Sequence, residues 1–538
     1  MLRYEKRVCL LYCAVVLAVS LLLARLYNLS KPETNESLTV LEGQYTGKIE
    51  VCERGGFVYD RNGYLMSHNL TGHIALVNPE ECTDALECAE ALSSAAVSAD
   101  LSGIFDKIIS GVPFTVTLQK GKNNNMPKGI TVFDAYEENT SLAKHFMGYN
   151  NSDGRGMSGL RLAYDEFLGE SLYSTVTARF DTDAKRKSMS PFLIDTEKYL
   201  SDDGVVTTID KPLQNFVDGF SDTIESGAVV VADTETGEIL AMSSFPGYNI
   251  ENMAQYLDSD KGELINRASM SFVPGSVFKI VVAATALEEN LSLYDLEYIC
   301  EGKIQVEDAT FKCHKHSGHG NIDMATAFAE SCNTYFINLG MLLGLEKIAD
   351  TAKKLGLDER TYADFAGEGT NHFLSTDDKT SGYIANISFG QGDLCLSPLD
   401  MTRIVTAAAC GHLVQLSTIR GEIREGVFLA SEREQKVRVF SRETCEKIRK
   451  MMEKCVNDGT GTAAAVMGIS LGGKTATAQT GRFSKEGVEY VHKWFCGVYP
   501  VEKPRVSVCV LFDDVTEQKA SPAVVFSEIC KYLKEKGF

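Results

Sequence analysis

Three short stretches of this sequence carry residues whose types and spacing could do acyl-transfer chemistry. In "SFVPGSVFKIVVAATALEEN" (271–290), Ser276 and Lys279 stand three residues apart at the start of an apolar run. A helix there would present both from one face of its first turn. Pro274 and Gly275 can begin such a helix but not sit inside it, and residues 277–287 are apolar almost all round, the pattern of a buried helix. A lysine in a buried turn is costly unless it is paired or useful. The useful form is a neutral amine, its pKa depressed by burial and nearby positive charge, taking the proton of a serine nucleophile. The ordinary alternative is a surface lysine at a helix start, and S-x-x-K also arises by chance in a chain of this length. Two further stretches decide between these readings. "ESCNTYFINLG" supplies Ser331-Cys332-Asn333, and "GGKTATAQT" supplies Lys474-Thr475-Ala476 on a predicted strand, behind two glycines that let a ligand backbone lie close. Their order and spacing match the S-x-x-K, S-x-N, K-T-G pattern of serine acyl transfer.

These residues need a scaffold. "VVTTID" from residue 205 reads as a strand, Pro212 to Phe220 begins a helix, and "GAVVVADTETGEILAMSS" (227–244) is a hairpin turned at Thr-Glu-Thr-Gly. A helix-rich stretch follows to about residue 410, then a helix over 441–457. Strand patterns cover 470–480, 492–500 and 506–514, and a closing helix covers 521–536. Strands at both ends with helices between predict an antiparallel sheet joined from two halves of the region and covered by helices, an α/β (α+β) sandwich. Upstream, "RGGFVYDRNGYLM" (54–66) reads as two short strands around an Asp-Arg-Asn-Gly turn, and 78–110 as one or two helices. Residues 120–129 read as a loop, 156–170 as one helix started by Ser158 and ended by Gly169, and 171–203 as a hinge or partner surface. No internal repeat or low-complexity tract is present.

The chain has 538 residues, room for two or three domains, and its 44% hydrophobic and 23% charged content describes an ordinary globular protein. A net charge of -20 argues against nucleic acid or an anionic membrane surface as the main partner. Residues 8–24, VCLLYCAVVLAVSLLLA, form an uncharged run between Arg3, Lys6, Arg7 and Arg25, close to the shortest helix that spans a bilayer. The positive-inside rule then exports everything after residue 27. The rival is a cleaved signal peptide, but no clean small-x-small cleavage site follows the run. The expected organisation is a cytoplasmic tail (1–7), a single-pass transmembrane anchor (8–27), an N-terminal pedestal or interaction domain (28–203) beginning with a polar stalk, and a catalytic domain (204–538).

With these motifs in order, the chain resembles the class B penicillin-binding proteins, and the resemblance runs through most of the exported part. "RGGFVYDRNG" is similar to the family's membrane-proximal R-G-x-x-x-D-R-N-G signature. "GMSGLRLAYDEFLGE" is similar to its G-x-x-G-L-E-x-x-Y-x-x-x-L-x-G segment, with Arg161 where Glu is usual. "TGEILAMSSFPGYN", "ISFGQGDLCLSPLDM" and "HKWFCGVYP" also look like family segments. Nothing between the anchor and residue 205 resembles a glycosyltransferase. The resemblance implies a penicillin-binding/β-lactamase-like transpeptidase domain on an elongated N-terminal pedestal, at the bacterial cell membrane.

It also implies a monofunctional D,D-transpeptidase that cross-links peptidoglycan stem peptides and is inhibited by β-lactams. Ser276 would attack the penultimate D-alanine carbonyl, Lys279 would take the serine proton, and Ser331 would relay it to the leaving amine. Asn333 would hold Lys279 and the substrate amide. Lys474 would favour neutral Lys279 and attract the substrate carboxylate, which Thr475 and Thr477 would hydrogen-bond. The backbone N–H groups of Ser276 and Thr477 would form the oxyanion hole. Ala476 departs from the family's Gly, and its methyl is expected to crowd the strand edge and alter β-lactam affinity. That departure keeps open a catalytically silent scaffold of a cell-wall synthesis complex. A β-lactamase or β-lactam sensor suits the N-terminal module less well. The family further implies a SEDS-type membrane glycosyltransferase as partner, and no organic cofactor.

Fifteen cysteines are unusual for an exported protein, and thirteen of them lie outside the membrane run, so they cannot all pair internally. Cys300, Cys313, His319 and Cys332 fall within one short stretch and make a Cys₃His set of the kind that holds structural zinc tetrahedrally. Four protein ligands leave no open position, and Cys332 is the middle residue of Ser-x-Asn, so the metal would tie the loop to the catalytic wall. His314 and His316 are alternative imidazoles, and a Cys300–Cys313 disulfide is the alternative to metal. The resemblance supports zinc, since some elongation-type members carry it at this place.

Overall fold

The computed structural model describes residues 15–22, 25, 46–54, 56–98, 100–122, 125–151, 153–168, 174–181, 193–195, 203–357, 380–433, 436–516 and 521–538. The chain forms two compact units. The larger is built on a five-stranded antiparallel sheet of β1 (Gly227–Asp233), β2 (Ile239–Phe245), β3 (Gly472–Phe483), β4 (Glu489–Tyr499) and β5 (Val506–Val515). The order is β2-β1-β5-β4-β3, so the two halves of the region meet at β1 and β5, as the strand pattern predicted. β3, which carries Lys474-Thr475-Ala476, is an edge strand of this sheet.

Both faces of the sheet are covered, and residues along β4 alternate between two cores. Trp494, Cys496 and Val498 pack with α1 (Lys279–Glu289), α2 (Met324–Ala329), α3 (Asn333–Leu343), α4 (Pro398–Cys410) and α5 (Arg442–Asp458). Phe495 and Tyr499 pack on the other face with α6 (Pro522–Glu535) and the helix Lys211–Asp218. Burying α1 on all sides is what its uninterrupted apolar sequence requires: residues 279–287 are all buried.

The compact units do not follow a linear boundary at residue 204. Residues 55–69 and 137–173 belong to the larger unit, where Val58, Met66, Phe146 and Leu160 share a core with Ala228, Val230 and Ala232 of β1. The Asp-Arg-Asn-Gly turn is fixed by Asp60, whose carboxylate accepts the backbone N–H groups of Asn62 and Tyr64, each at 2.8 Å. Arg61 and Arg420 converge on the buried carboxylate of Glu238, at 3.0 and 2.8 Å. Only Phe57–Tyr59 forms a strand here, and Leu65 makes a single bridge to Tyr59. The helix expected over 156–170 is two short turns, Gly159–Ala163 and Asp165–Leu168. The break is occupied by Asp165, whose carboxylate turns back to accept the Gly156 N–H at 2.6 Å.

The smaller unit contains most of a three-stranded sheet (Phe114–Leu118, His68–Val77, Ile130–Glu138) against helices Ala85–Ala95 and Leu101–Ser110. It also contains strands Thr46–Arg54, Ser174–Asp181 and Leu193–Asp195, paired in one sheet. Part of the stretch read as a hinge is therefore strand. Its alternating residues "STVTARFD" have the period of two that a paired strand needs, and charged neighbours masked it. Among the described residues no helix is long and apolar enough to cross a membrane. Of the run 8–24, residues 15–22 are described, as helix, and the rest of the expected anchor and most of the stalk lie outside the described residues.

Candidate active site

The turn that carries Ser276 is built from glycine. Residues Gly275–Phe278 form a 3₁₀ turn that runs directly into α1, and in a 3₁₀ turn residues three apart eclipse one another. Ser276 and Lys279 therefore stack on one side, more closely aligned than an α-turn would make them. Gly275 sits at φ +57°, donates its N–H to the Gly390 carbonyl at 2.9 Å, and a Cβ there would lie 3.0 Å from the Ala478 methyl. Gly390 is tighter still, because its Cβ would fall 1.9 Å from the Gly275 oxygen. The Trp494 Nε1–H donates to the Val273 carbonyl at 3.1 Å, tying the approach to the turn onto β4.

Lys279 is completely buried. Its Nζ donates to the Ser331 carbonyl at 2.9 Å, to Asn333 Oδ1 at 2.8 Å and, longer, to Ser331 Oγ at 3.4 Å, and it lies 5.4 Å from the Phe336 ring centre. Ser331 adopts φ +55°, a left-handed conformation that costs a non-glycine residue energy and here turns its carbonyl toward Lys279. Lys474 is also completely buried, donates to the Thr475 carbonyl at 2.9 Å and lies 5.7 Å from the Phe328 ring centre. Burial, then the charge of Lys474, holds the Lys279 pKa well below its ordinary value. Burial lowers that of Lys474 too. Lys474 thus has no exposed surface and directs its ammonium to a carbonyl of its own strand.

Ser276, Ser331, Asn333, Thr475 and Thr477 line one open cleft of about 390 Å³. A larger cleft near Phe167 and Arg424 contains none of these residues. Thr475 is half-buried, with its hydroxyl 2.6 Å from that of Thr460, while Thr477 is exposed. Ala476 is 6% exposed, and its methyl lies 3.5 Å from where a Cβ on Gly275 would sit. Ala476 lines the same cleft, with its methyl directed toward Gly275 of the turn that carries Ser276.

The cysteine-rich loop closes against the same wall. Cys300, Cys313, His319 and Cys332 bring their ligand atoms within 4.8 Å of one another. Cys300 Sγ and Cys313 Sγ are each 3.5 Å from His319 Nδ1, and Cys313 Sγ is 3.9 Å from Cys332 Sγ. A tetrahedral zinc with ordinary bond lengths separates sulfur from sulfur by about 3.8 Å and sulfur from nitrogen by about 3.6 Å. The donor set fits the ion. All three cysteines are free thiols, so this arrangement is not the Cys300–Cys313 disulfide. The contact between the Cys313 and Cys332 sulfurs holds the Cys313 pKa below its ordinary value and raises that of Cys332. His314 lines the cleft instead, and Asn333 Nδ2 donates to the Lys312 carbonyl at 3.4 Å, so the loop braces Asn333 directly.

Motif reading missed three contributors. Thr460 orients Thr475 from across the loop after α5, Gly390 supports the turn, and Lys493 enters the cleft from β4. Only Lys493 left a usable sign, by its alternation with Trp494 in "HKWF".

Residues 227–531, more than half of the chain, match the penicillin binding protein transpeptidase domain, and the chain belongs to that family. It is 28% identical over 487 residues to the stage V sporulation protein D of Bacillus subtilis, covering 85% of this chain and 74% of that protein. It is 24% identical over 528 residues to the peptidoglycan D,D-transpeptidase FtsI of Buchnera aphidicola, covering 90% and 87%. A crystal structure of a D,D-transpeptidase domain from Eggerthella lenta shares the fold, with a TM-score of 0.65 and 23% identity over 90% of this chain and 99% of that one. Penicillin binding protein 3 of Mycobacterium tuberculosis, solved with aztreonam, shares it equally, at TM-score 0.65 and 23% identity over 91% and 97%.

Proposed function

We infer that this protein is a class B peptidoglycan D,D-transpeptidase working through a Ser276 acyl-enzyme and blocked by β-lactams. One observation carries the residue roles: the buried Lys279 bridges the nucleophile turn to Ser331 and Asn333 while Lys474 presses on it from the sheet. Neutral Lys279 takes the Ser276 proton as Oγ attacks the penultimate D-alanine carbonyl. The backbone N–H groups of Ser276 and Thr477 hold the oxyanion. The carbon–nitrogen bond then breaks, and the proton returns through Ser331 to the departing D-alanine. An amine of a neighbouring stem peptide attacks the ester, gives up a proton and frees Ser276. A β-lactam follows the first half of this path and stays bound.

Cys300, Cys313, His319 and Cys332 hold a structural zinc, whose contribution when bound is to cross-link the loop to Ser-x-Asn. The body is held at the outer face of the bacterial cytoplasmic membrane by the run 8–27 and works beside a SEDS-type glycosyltransferase, readings that rest on the sequence pattern and on family membership. Fluorescent penicillin labelling of the full chain, with mass mapping of the labelled peptide, tests the central claim. Label on Ser276 is expected, and label elsewhere or absent refutes it.

A further inference from the structure

Lys474 has no exposed surface and directs its ammonium to a carbonyl of its own strand. A different group must meet the negative end of an acyl donor. Thr475 and Thr477 leave β3 on the face opposite to Lys474 and Ala476. On the adjacent strand Lys493 is the direct partner of Thr477. Directly opposed residues leave a sheet on the same face with Cβ atoms about 5 Å apart, and a diagonal neighbour such as Thr475 is still within reach of a long side chain. His492 and Trp494, which flank Lys493, turn into the opposite core, where both rings meet Phe272. Lys493 lines the same cleft as Ser276 and, among the described residues, is the one lysine or arginine that lines it.

We propose that Lys493 is the residue that holds the terminal carboxylate of the acyl donor, together with the hydroxyls of Thr475 and Thr477. Labour is then divided among three lysines. Lys279 handles the proton, Lys474 supplies the field that keeps Lys279 neutral, and Lys493, half-buried in the cleft, supplies the contact. Partial burial lowers the Lys493 pKa, and an incoming carboxylate would oppose that shift by favouring the charged form. Thr460, by fixing the Thr475 hydroxyl, sets the second arm of the clamp.

The inference rests on acylation at Ser276, and the test separates the two. The probes are two N-acyl-D-alanyl thioesters differing only in the leaving group, one ending in a free carboxylate and one in its amide, with thiol release followed on the full chain. Lys493→Gln is expected to lose roughly tenfold in kcat/KM toward the carboxylate probe, chiefly in KM, with little change toward the amide. Lys493→Arg should recover most of the loss. The wild-type preference for the carboxylate probe should shrink as salt is added, a measurement that needs no variant. Equal losses on both probes, or a preference indifferent to salt and to Lys493→Gln, would overturn the assignment. If neither thioester acylates Ser276 in the wild-type chain, the acyl-serine reading itself has failed.

Discussion

β3 and the loop of residues 298–322 border the same cleft but are held in place by different means. β3 is laddered to β4 from Gly472 to Gln479, and its Ala476 sits in a core shared with α1 and α5, with Lys474 and Ala478 buried beside it in the strand. The loop consists of two small two-stranded ladders, Tyr298–Cys300 with Gly320–Ile322 and Lys303–Val306 with Ala309–Lys312, whose outer residues are mostly exposed. Its fixed point is the convergence of Cys300, Cys313 and His319 on Cys332. A wall built on backbone hydrogen bonds and buried area tolerates the loss of one side chain. A loop fixed by the meeting of four side chains has only short ladders to fall back on.

The largest effect should come from the wall side, at the nucleophile. Ser276→Ala is expected to abolish covalent penicillin labelling with at most about 1 kcal/mol of stability lost, read by labelling and thermal melting together. Lys279→Gln should slow acylation by about 10² to 10⁴. In the wild type the acylation rate should rise with pH through the folded pKa of Lys279, which lies below the ordinary lysine value. Both buried lysines are neutral more readily in the folded chain than in the unfolded one. Unfolding therefore takes up protons, and stability from this source is present above the ordinary lysine pKa and is lost as pH falls through the folded values. Denaturation midpoints that fall with rising pH across that window would contradict this.

The next effect should come from the loop. Metal analysis should find close to one zinc per chain, and chelation or Cys313→Ser should lower the melting temperature by several degrees and slow acylation, because Asn333 loses its brace at Lys312. Metal-free protein with full activity and a mass showing an internal disulfide would show that the loop needs no ion. A smaller effect is expected at Thr460→Val, which frees the Thr475 hydroxyl and should cost a few-fold in kcat/KM with melting nearly unchanged. The smallest change in rate should follow Ala476→Gly. Because the methyl faces Gly275, its removal should not speed acylation, and added backbone freedom should cost up to about 1 kcal/mol. Faster acylation by the glycine variant would restore the steric reading of this position.

The difference between wall and loop also explains what could be read in advance. β1, β2 and β5 were legible because both of their faces are buried, so each is a nearly continuous apolar run, whereas the edge strand β3 was read from its two glycines and its Lys-Thr-Ala motif. The hairpins within 298–322 were not, since four-residue strands such as "KIQV" and "ATFK" leave too little periodicity to detect. The segments 55–69 and 137–173 carried recognisable motifs, yet their place in the catalytic unit depends on packing with β1 that no local pattern records.

The sequence by itself determined the order of the Ser-x-x-Lys, Ser-x-Asn and Lys-Thr-Ala motifs, the strand and helix that carry them, and the residue types of the cysteine cluster, because these depend on side-chain chemistry and local periodicity. Only the tertiary structure decided that Lys474 is buried away from the cleft, that Ala476 turns its methyl toward Gly275, and that Thr460 and Lys493 belong to the site. Each of these follows from which face of a strand meets which neighbour, and that is set by pairing between segments far apart in the chain.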